Sequence, residues 1–208
     1  MTAIIDYGVG NLFSLVSSFR KIGEDAVVTA DAETLLAADR IVLPGVGAFR
    51  DAAEKLEATG LVPVLRAAAA GGKPIMGICL GMQLLFEKSY EYGEYRGLGF
   101  LRGEIVPIAE HVTGLKVPHM GWNALCFAKP EHPLFRYIKE GDCVYFVHSY
   151  YAVGCADSLL ASAEYGTEIT AAVGSGNVMG CQFHPEKSGE VGLSILRAFC
   201  EMKEGALC

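Results

Sequence analysis

The chain is predicted to fold as an α/β protein: a three-layer, open flavodoxin/Rossmann-like sheet with an antiparallel extension. Three observations predict it. Apolar runs alternate with helically spaced segments through the first half. Those runs are apolar at consecutive positions, as expected of strands covered by helices on both faces. The second half changes to closely spaced strands with turn signals between them.

"TAIID" (2–6) reads as the first strand, and "NLFSLVSSFRKIG" (11–23) as a helix that Gly23 suits for a C-terminal stop. "DAVVT" (25–29) and "RIVLPG" (40–45) are the second and third strands. "AFRDAAEKLEATG" (48–60) and "LVPVLRAAAAGG" (61–72) have helical spacing, and "PIMGI" (74–78) is the fourth strand. Strand-like runs follow at 100–108, 115–125, 143–153, 158–165, 168–176 and 177–183, with "SGNV" as a tight-turn signal. "EVGLSILRAFCEMK" (190–203) closes the chain as an amphipathic helix with Val191, Ile195, Phe199 and Met202 on one face. No repeat, low-complexity tract or linker interrupts the pattern, so residues 1–208 are expected to form one domain.

Composition narrows the class. With 51% hydrophobic and 20% charged residues the chain can build a substantial core. A net charge of −7 argues against a general nucleic-acid binder, which needs a basic face. No apolar run is long enough to span a membrane. "MTAIIDYGVGN" has neither a basic n-region nor a signal-type apolar stretch, and the seven cysteines form no C-x-x-C pair or regular framework. Reduced thiols in the cytoplasm are the expectation, five or six of them as small buried residues.

One thiol stands apart. Gly77-Ile78-Cys79-Leu80-Gly81 has the G-x-nucleophile-x-G form of a nucleophile elbow, at the point where the fourth strand runs into a helical segment, "LGMQLLFE". The turn would lift the side chain out at the carboxyl end of the sheet, at a helix N-terminus that favours thiolate over thiol. The backbone N–H of Leu80 would face the same space as an oxyanion donor. The bland alternative is a buried cysteine beside packing glycines. A thiol nucleophile needs a base and a group that orients it. "GCQFHPEKSGE" (180–190) supplies His184 and Glu186, two residues apart on a chain that Pro185 keeps extended, so both side chains point one way. The alternative there is a surface histidine beside a solvated carboxylate. Cys181 and His184 form a C-x-x-H pair without a second ligand pair, so no metal is expected. "LPGVGAF" (43–49) follows the third strand at the same sheet end, and Gly45 and Gly47 permit close backbone approach and a peptide flip. No Lys-Ser/Thr follows it, which excludes a phosphate-cradling P-loop. Gln83 lies one helical turn beyond Cys79 and can face the same pocket, or solvent.

Glycine turn, elbow and terminal His-Pro-Glu in this order resemble the triad (class I) glutamine amidotransferases. The likeness is strongest to the glutaminase branch that serves histidine biosynthesis and runs nearly end to end. It covers "IDYGVGNL" (5–12), "LPGVGAF" (43–49), "GICLGMQLLFE" (77–87), "GLGF" (97–100), "VPHMGWN" (117–123), "VYFVHSYY" (144–151) and "GCQFHPEKSG" (180–189). The resemblance implies that Cys79 attacks the side-chain amide of L-glutamine. His184 would take the thiol proton and pass it to departing ammonia, Glu186 would orient His184, and the glutamyl thioester would be hydrolysed to glutamate. Leu80, Val46 and Gly47 would form the oxyanion hole, with a peptide flip at Val46. Gly45, Gln83, Glu91, Ser149 and Tyr150 would bind glutamine, Glu91 at its ammonium and the His148–Tyr150 segment at its α-carboxylate. No cofactor is implied. The implied partner is a (β/α)8-barrel cyclase, joined as a heterodimer, that uses the ammonia to make imidazole glycerol phosphate and an aminoimidazole carboxamide ribotide. Asn11, Trp122, Tyr145 and Lys187 match positions at or near that interface. The competing readings are a similar subunit serving another synthase, such as one modifying a surface sugar or making pyridoxal phosphate, a non-catalytic binding subunit, and a cysteine peptidase.

Overall fold

Consecutive apolar residues make β1 (Thr2–Ile5), whose four residues are all buried, with Ala3 and Ile5 in one hydrophobic cluster and Ile4 in another. This computed structural model describes residues 1–203. Cys208 and the rest of 204–208, counted in the expected domain, lie outside the described residues. The chain continues through α1 (Leu12–Lys21), β2 (Ala26–Thr29), α2 (Ala32–Ala37), β3 (Arg40–Leu43), α3 (Phe49–Ala58), α4 (Val62–Ala70), β4 (Ile75–Ile78) and α5 (Leu80–Leu84). Then come β5 (Lys88–Ser89), β6 (Tyr95–Arg96), β7 (Glu104–Pro107), β8 (His119–Ala124), β9 (Cys126–Phe127), β10 (Cys143–His148) and β11 (Tyr150–Val153). The last elements are β12 (Leu159–Glu164), β13 (Glu168–Ser175), β14 (Val178–Cys181) and α6 (Gly189–Cys200).

The main sheet has the order β2-β1-β3-β4-β14-β13-β12-β9. Its first five strands are parallel and the last three antiparallel, the α/β fold with an antiparallel extension that the sequence predicts. Leu15 and Phe19 of α1 pack with Ile195, Leu196 and Phe199 of α6 on one face. Leu35, Phe49, Leu56 and Leu65 from α2, α3 and α4 cover the other, giving three layers. On α6, Ile195 and Phe199 are buried and Val191 packs alongside; the helix stops at Cys200, so Met202, expected on it, is buried just beyond its end.

The structure corrects four expectations. The run 143–153 is not one strand. β10 pairs with β8 in a two-stranded ribbon, β11 pairs with β7 in a sheet with β5 and β6, and the chain changes sheet at Ser149. The segments around 100–125 therefore build these two small sheets and do not extend the main one. The helix after Cys79 has five residues and stops at Leu84. Helix α2, unforeseen from the sequence, is capped by Asp31, whose carboxylate accepts the Thr34 N–H at 2.8 Å. Cys79, Cys155 and Cys181 are buried, but Cys126 and Cys143 are exposed on β9 and at the start of β10, so fewer thiols are core residues than expected. Among the described residues no helix is long and apolar enough to cross a membrane.

The close packing of α5 fixes the middle of the sheet edge. A Cβ on Gly77 would lie 2.6 Å from the Gly81 carbonyl oxygen, and one on Gly81 would overlap the Leu43 carbonyl. Neither position tolerates a side chain without moving backbone. Gly81→Ala is expected to lower stability by about 1–3 kcal/mol through overpacking, measured as a fall in the midpoint of thermal unfolding.

Candidate active site

Strand order brings the site together. β4 lies between β3 and β14, and all three are parallel, so their carboxyl ends adjoin. Cys79 leaves β4, the Pro44–Ala48 turn leaves β3, and the segment to Glu186 leaves β14. Val46, Gly47, Cys79, Leu80, Gln83, Glu91, Ser149, Tyr150, His184 and Lys187 all line one cavity of about 560 Å3.

Cys79 has φ 54° and ψ −112°, a conformation disfavoured for a residue with a Cβ. Its backbone N–H is anchored to the Cys181 carbonyl at 2.8 Å. Of the turn, Gly47 adopts φ +95°. Gly45 sits behind the cavity wall, where a Cβ would lie 2.7 Å from the Gly81 nitrogen and 3.0 Å from the Tyr7 hydroxyl. The Tyr7 hydroxyl donates to the Pro44 carbonyl at 2.5 Å. Burial, with the charge at Cys79, holds that phenol well above its ordinary range.

His184 Nδ1 and Glu186 Oε1 are 2.8 Å apart, both side chains almost wholly buried. Burial pulls the imidazole pKa down, but hydrogen bonds to Cys79 and Glu186 and their negative charges outweigh it, raising it to about 9. The arrangement therefore favours the protonated form of the imidazole between Cys79 and Glu186. The His184–Ser188 segment is tied to β10 at Tyr145, whose carbonyl accepts the His184 N–H at 2.9 Å and whose N–H donates to Ser188 Oγ at 2.9 Å.

The glutamine-binding candidates differ in what holds them. Gln83 is buried, not solvated, and its Nε2 donates to the Tyr150 carbonyl at 3.1 Å and to Gln182 Oε1 at 3.0 Å. Glu91 Oε2 accepts the Phe49 N–H at 2.5 Å, the first N–H of α3. Burial raises its carboxyl pKa against that hydrogen bond. Glu94, three residues on and equally placed by spacing to serve glutamine binding, is 64% exposed and lies 3.9 Å from Lys88 Nζ. Ser149 and Tyr150 reach the cavity because the chain changes sheet there. Behind them, His148 Nδ1 donates to the Tyr150 carbonyl at 2.8 Å, and its Nε2 lies 3.0 Å from His119 Nδ1. Burial holds both rings neutral, His148 pushed down to about 3. Since His148 Nδ1 carries the proton, its Nε2 accepts from His119.

Of the expected interface residues, Lys187 lines the cavity and its Nζ lies 5.9 Å from the centroid of the Tyr145 ring. Trp122 is 58% exposed and meets Tyr145 edge to face, with centroids 6.1 Å apart. Asn11 stands apart from the cavity wall and caps α1, its side chain accepting the Ser14 N–H at 3.4 Å.

Sequence reasoning missed Gln182, wholly buried, whose Nε2 donates to Cys79 Sγ at 3.7 Å. The signal was available. Gln182 precedes His184 by two residues, and the same alternation that pairs His184 with Glu186 turns Gln182 toward the thiol. Cys181 is fully buried, which raises its thiol pKa, and the described residues hold no cluster of three or more His, Cys, Asp or Glu side chains suited to a metal ion.

The family model described as "Glutamine amidotransferase class-I" matches residues 3–202. The imidazole glycerol phosphate synthase subunit HisH of Lactococcus lactis is 51% identical, covering 95% of this chain and 96% of the relative. That of Geobacillus kaustophilus is 50% identical, covering 99% and 98%. Among solved structures, PurLQS from Thermotoga maritima superposes with a TM-score of 0.73 at 22% identity, over 96% of both chains, a likeness of fold. The strained thiol, its paired histidine and carboxylate, and this match along the whole chain agree: the chain belongs to the class-I glutamine amidotransferase family, among its HisH relatives.

Proposed function

We propose that the chain is the glutaminase subunit of an imidazole glycerol phosphate synthase, releasing ammonia from L-glutamine for histidine biosynthesis. The carrying observation is the strained Cys79 thiol in one cavity with the buried His184–Glu186 pair. As the Cys79 sulfur attacks the amide carbon, the carbonyl electron pair moves to oxygen and is met by the N–H groups of Leu80 and the Val46–Gly47 turn. The tetrahedral adduct expels ammonia, which takes the proton held on His184. A water molecule, deprotonated by His184, then attacks the thioester carbon. Collapse returns the sulfur as thiolate and leaves glutamate. Glu186 keeps the Nδ1 proton in place throughout. Glu91 offers a carboxylate to the substrate ammonium, and the Ser149–Tyr150 backbone faces the α-carboxylate. Gly45 supports the turn from behind.

The partner in this reading is a (β/α)8-barrel cyclase seated where Trp122, Tyr145 and Lys187 adjoin the cavity, with Asn11 near its margin. An exposed Trp beside a Tyr suits an interface, and Phe13 and Met120 add exposed apolar surface at 83% and 65%. A subunit serving another synthase is the weaker reading, because the relatives at half identity carry the imidazole glycerol phosphate synthase name.

Glutamate release from glutamine tests the proposal. It is expected to be slow for the isolated chain and strongly stimulated when a histidine-pathway cyclase and its ribulosyl ligand are both added. Stimulation by neither would remove the partner assignment. Cys79→Ala is expected to cut glutamine hydrolysis by about a thousandfold or more, while the complex still uses added ammonia. The His184 pKa rises from 6.5 to about 9 on folding. Its contribution to stability is therefore complete below pH 6.5 and is lost as pH climbs through about 9. Denaturant melts of wild type and His184→Gln should show the gap between them closing over that window.

A further inference from the structure

We infer that Gln182 is a positioning residue for the nucleophile, donating an amide N–H to the Cys79 sulfur from the side of the site that solvent does not reach. This rests on the reading of Cys79 as the nucleophile. The contact is 3.7 Å long, ordinary for a sulfur acceptor, and Gln182 is wholly buried.

Which end of the Gln182 amide meets the sulfur is decided by a backbone group. The Tyr150 carbonyl can only accept, so the Gln83 atom facing it is Nε2. The same Nε2 faces Gln182, which must therefore present Oε1 to it. That leaves Gln182 Nε2 for Cys79. The orientation of the N–H at the sulfur is thus dictated two side chains away, by a peptide carbonyl that His148 Nδ1 also holds. A buried amide that flipped would set oxygen against sulfur and nitrogen against nitrogen, leaving buried groups unpaired.

An N–H aimed at sulfur stabilises thiolate more than thiol. It also limits the rotation of the Cys79 side chain, keeping the sulfur toward the cavity. The other titratable groups facing Cys79 are His184, with Glu186 behind it, Tyr7 from the loop after β1, and Cys181 at the end of β14. Of these, only His184 favours the thiolate; Tyr7 and Cys181 each sense it as a like charge. Gln182 is a neutral donor that adds support without adding a proton to the cycle.

The test is the pH dependence of Cys79 alkylation by iodoacetamide in the full chain, followed by mass spectrometry of the Cys79 peptide. Gln182→Met keeps the bulk and removes the donor. It is expected to raise the midpoint of alkylation by about one pH unit and to lower kcat/KM for glutamine by about tenfold. Gln182→Glu keeps the shape and the acceptor for Gln83, and is expected to raise the midpoint further. Circular dichroism identifies which variant is folded, and a folded variant that alkylates with the wild-type midpoint overturns the inference. Cys79→Ala, assayed alongside, separates the two levels. If it retains glutamine hydrolysis, the nucleophile reading fails; if it loses it while the Gln182 midpoints stay fixed, only the positioning role fails.

Discussion

Everything at the site depends on how closely α5 is pressed against β3 and β4. Gly81 lies where any side chain would enter the Leu43 carbonyl, and Gly77 lies under Gly81. That contact forces the chain to turn within one residue as it leaves β4, and the residue at the turn is Cys79, at positive φ. The strain is sustained by the surrounding structure, since Cys79 is also tied through its N–H to β14. With the thiol fixed between the ends of β3 and β14, a glycine turn on one side and a histidine on the other follow from strand order alone.

Around this fixed point the charges are sorted by burial. His184 is pushed toward its protonated form by its hydrogen bonds and charge interactions with Cys79 and Glu186. His148 and His119, a few ångströms behind, are kept neutral by burial without a carboxylate partner. The same side-chain type thus serves as a charged group in one place and as a directional hydrogen-bond relay in another. What distinguishes them is Glu186 and Cys79, not the depth of burial.

Much of this was legible in the sequence. The parallel half of the sheet was readable because strands buried on both faces are continuously apolar, and the elbow because its G-x-C-x-G motif stands with a glycine turn and a His-Pro-Glu in the same chain. His184 and Glu186 followed from alternation around Pro185. What stayed hidden depended on tertiary neighbours. The break at Ser149 leaves no mark in the run "CVYFVHSYY", which is strand-like throughout; only the competing partners β8 and β7 divide it. Gln83 and Gln182 are unremarkable polar residues until folding places them side by side. Glu91 and Glu94 could not be separated by spacing, and are separated by the N-terminus of α3, which takes one and leaves the other in solvent.

The stitching of Tyr145 has a mechanical consequence. Its ring sits against Trp122 and Lys187 at the outer surface, while its own N–H and carbonyl hold both ends of the His184–Ser188 segment. The link from surface to imidazole runs through the Tyr145 main chain, whose carbonyl meets the His184 N–H directly and whose N–H meets the Ser188 hydroxyl. Whatever packs against that ring therefore shares one residue's backbone with both ends of the segment that carries His184 and Glu186.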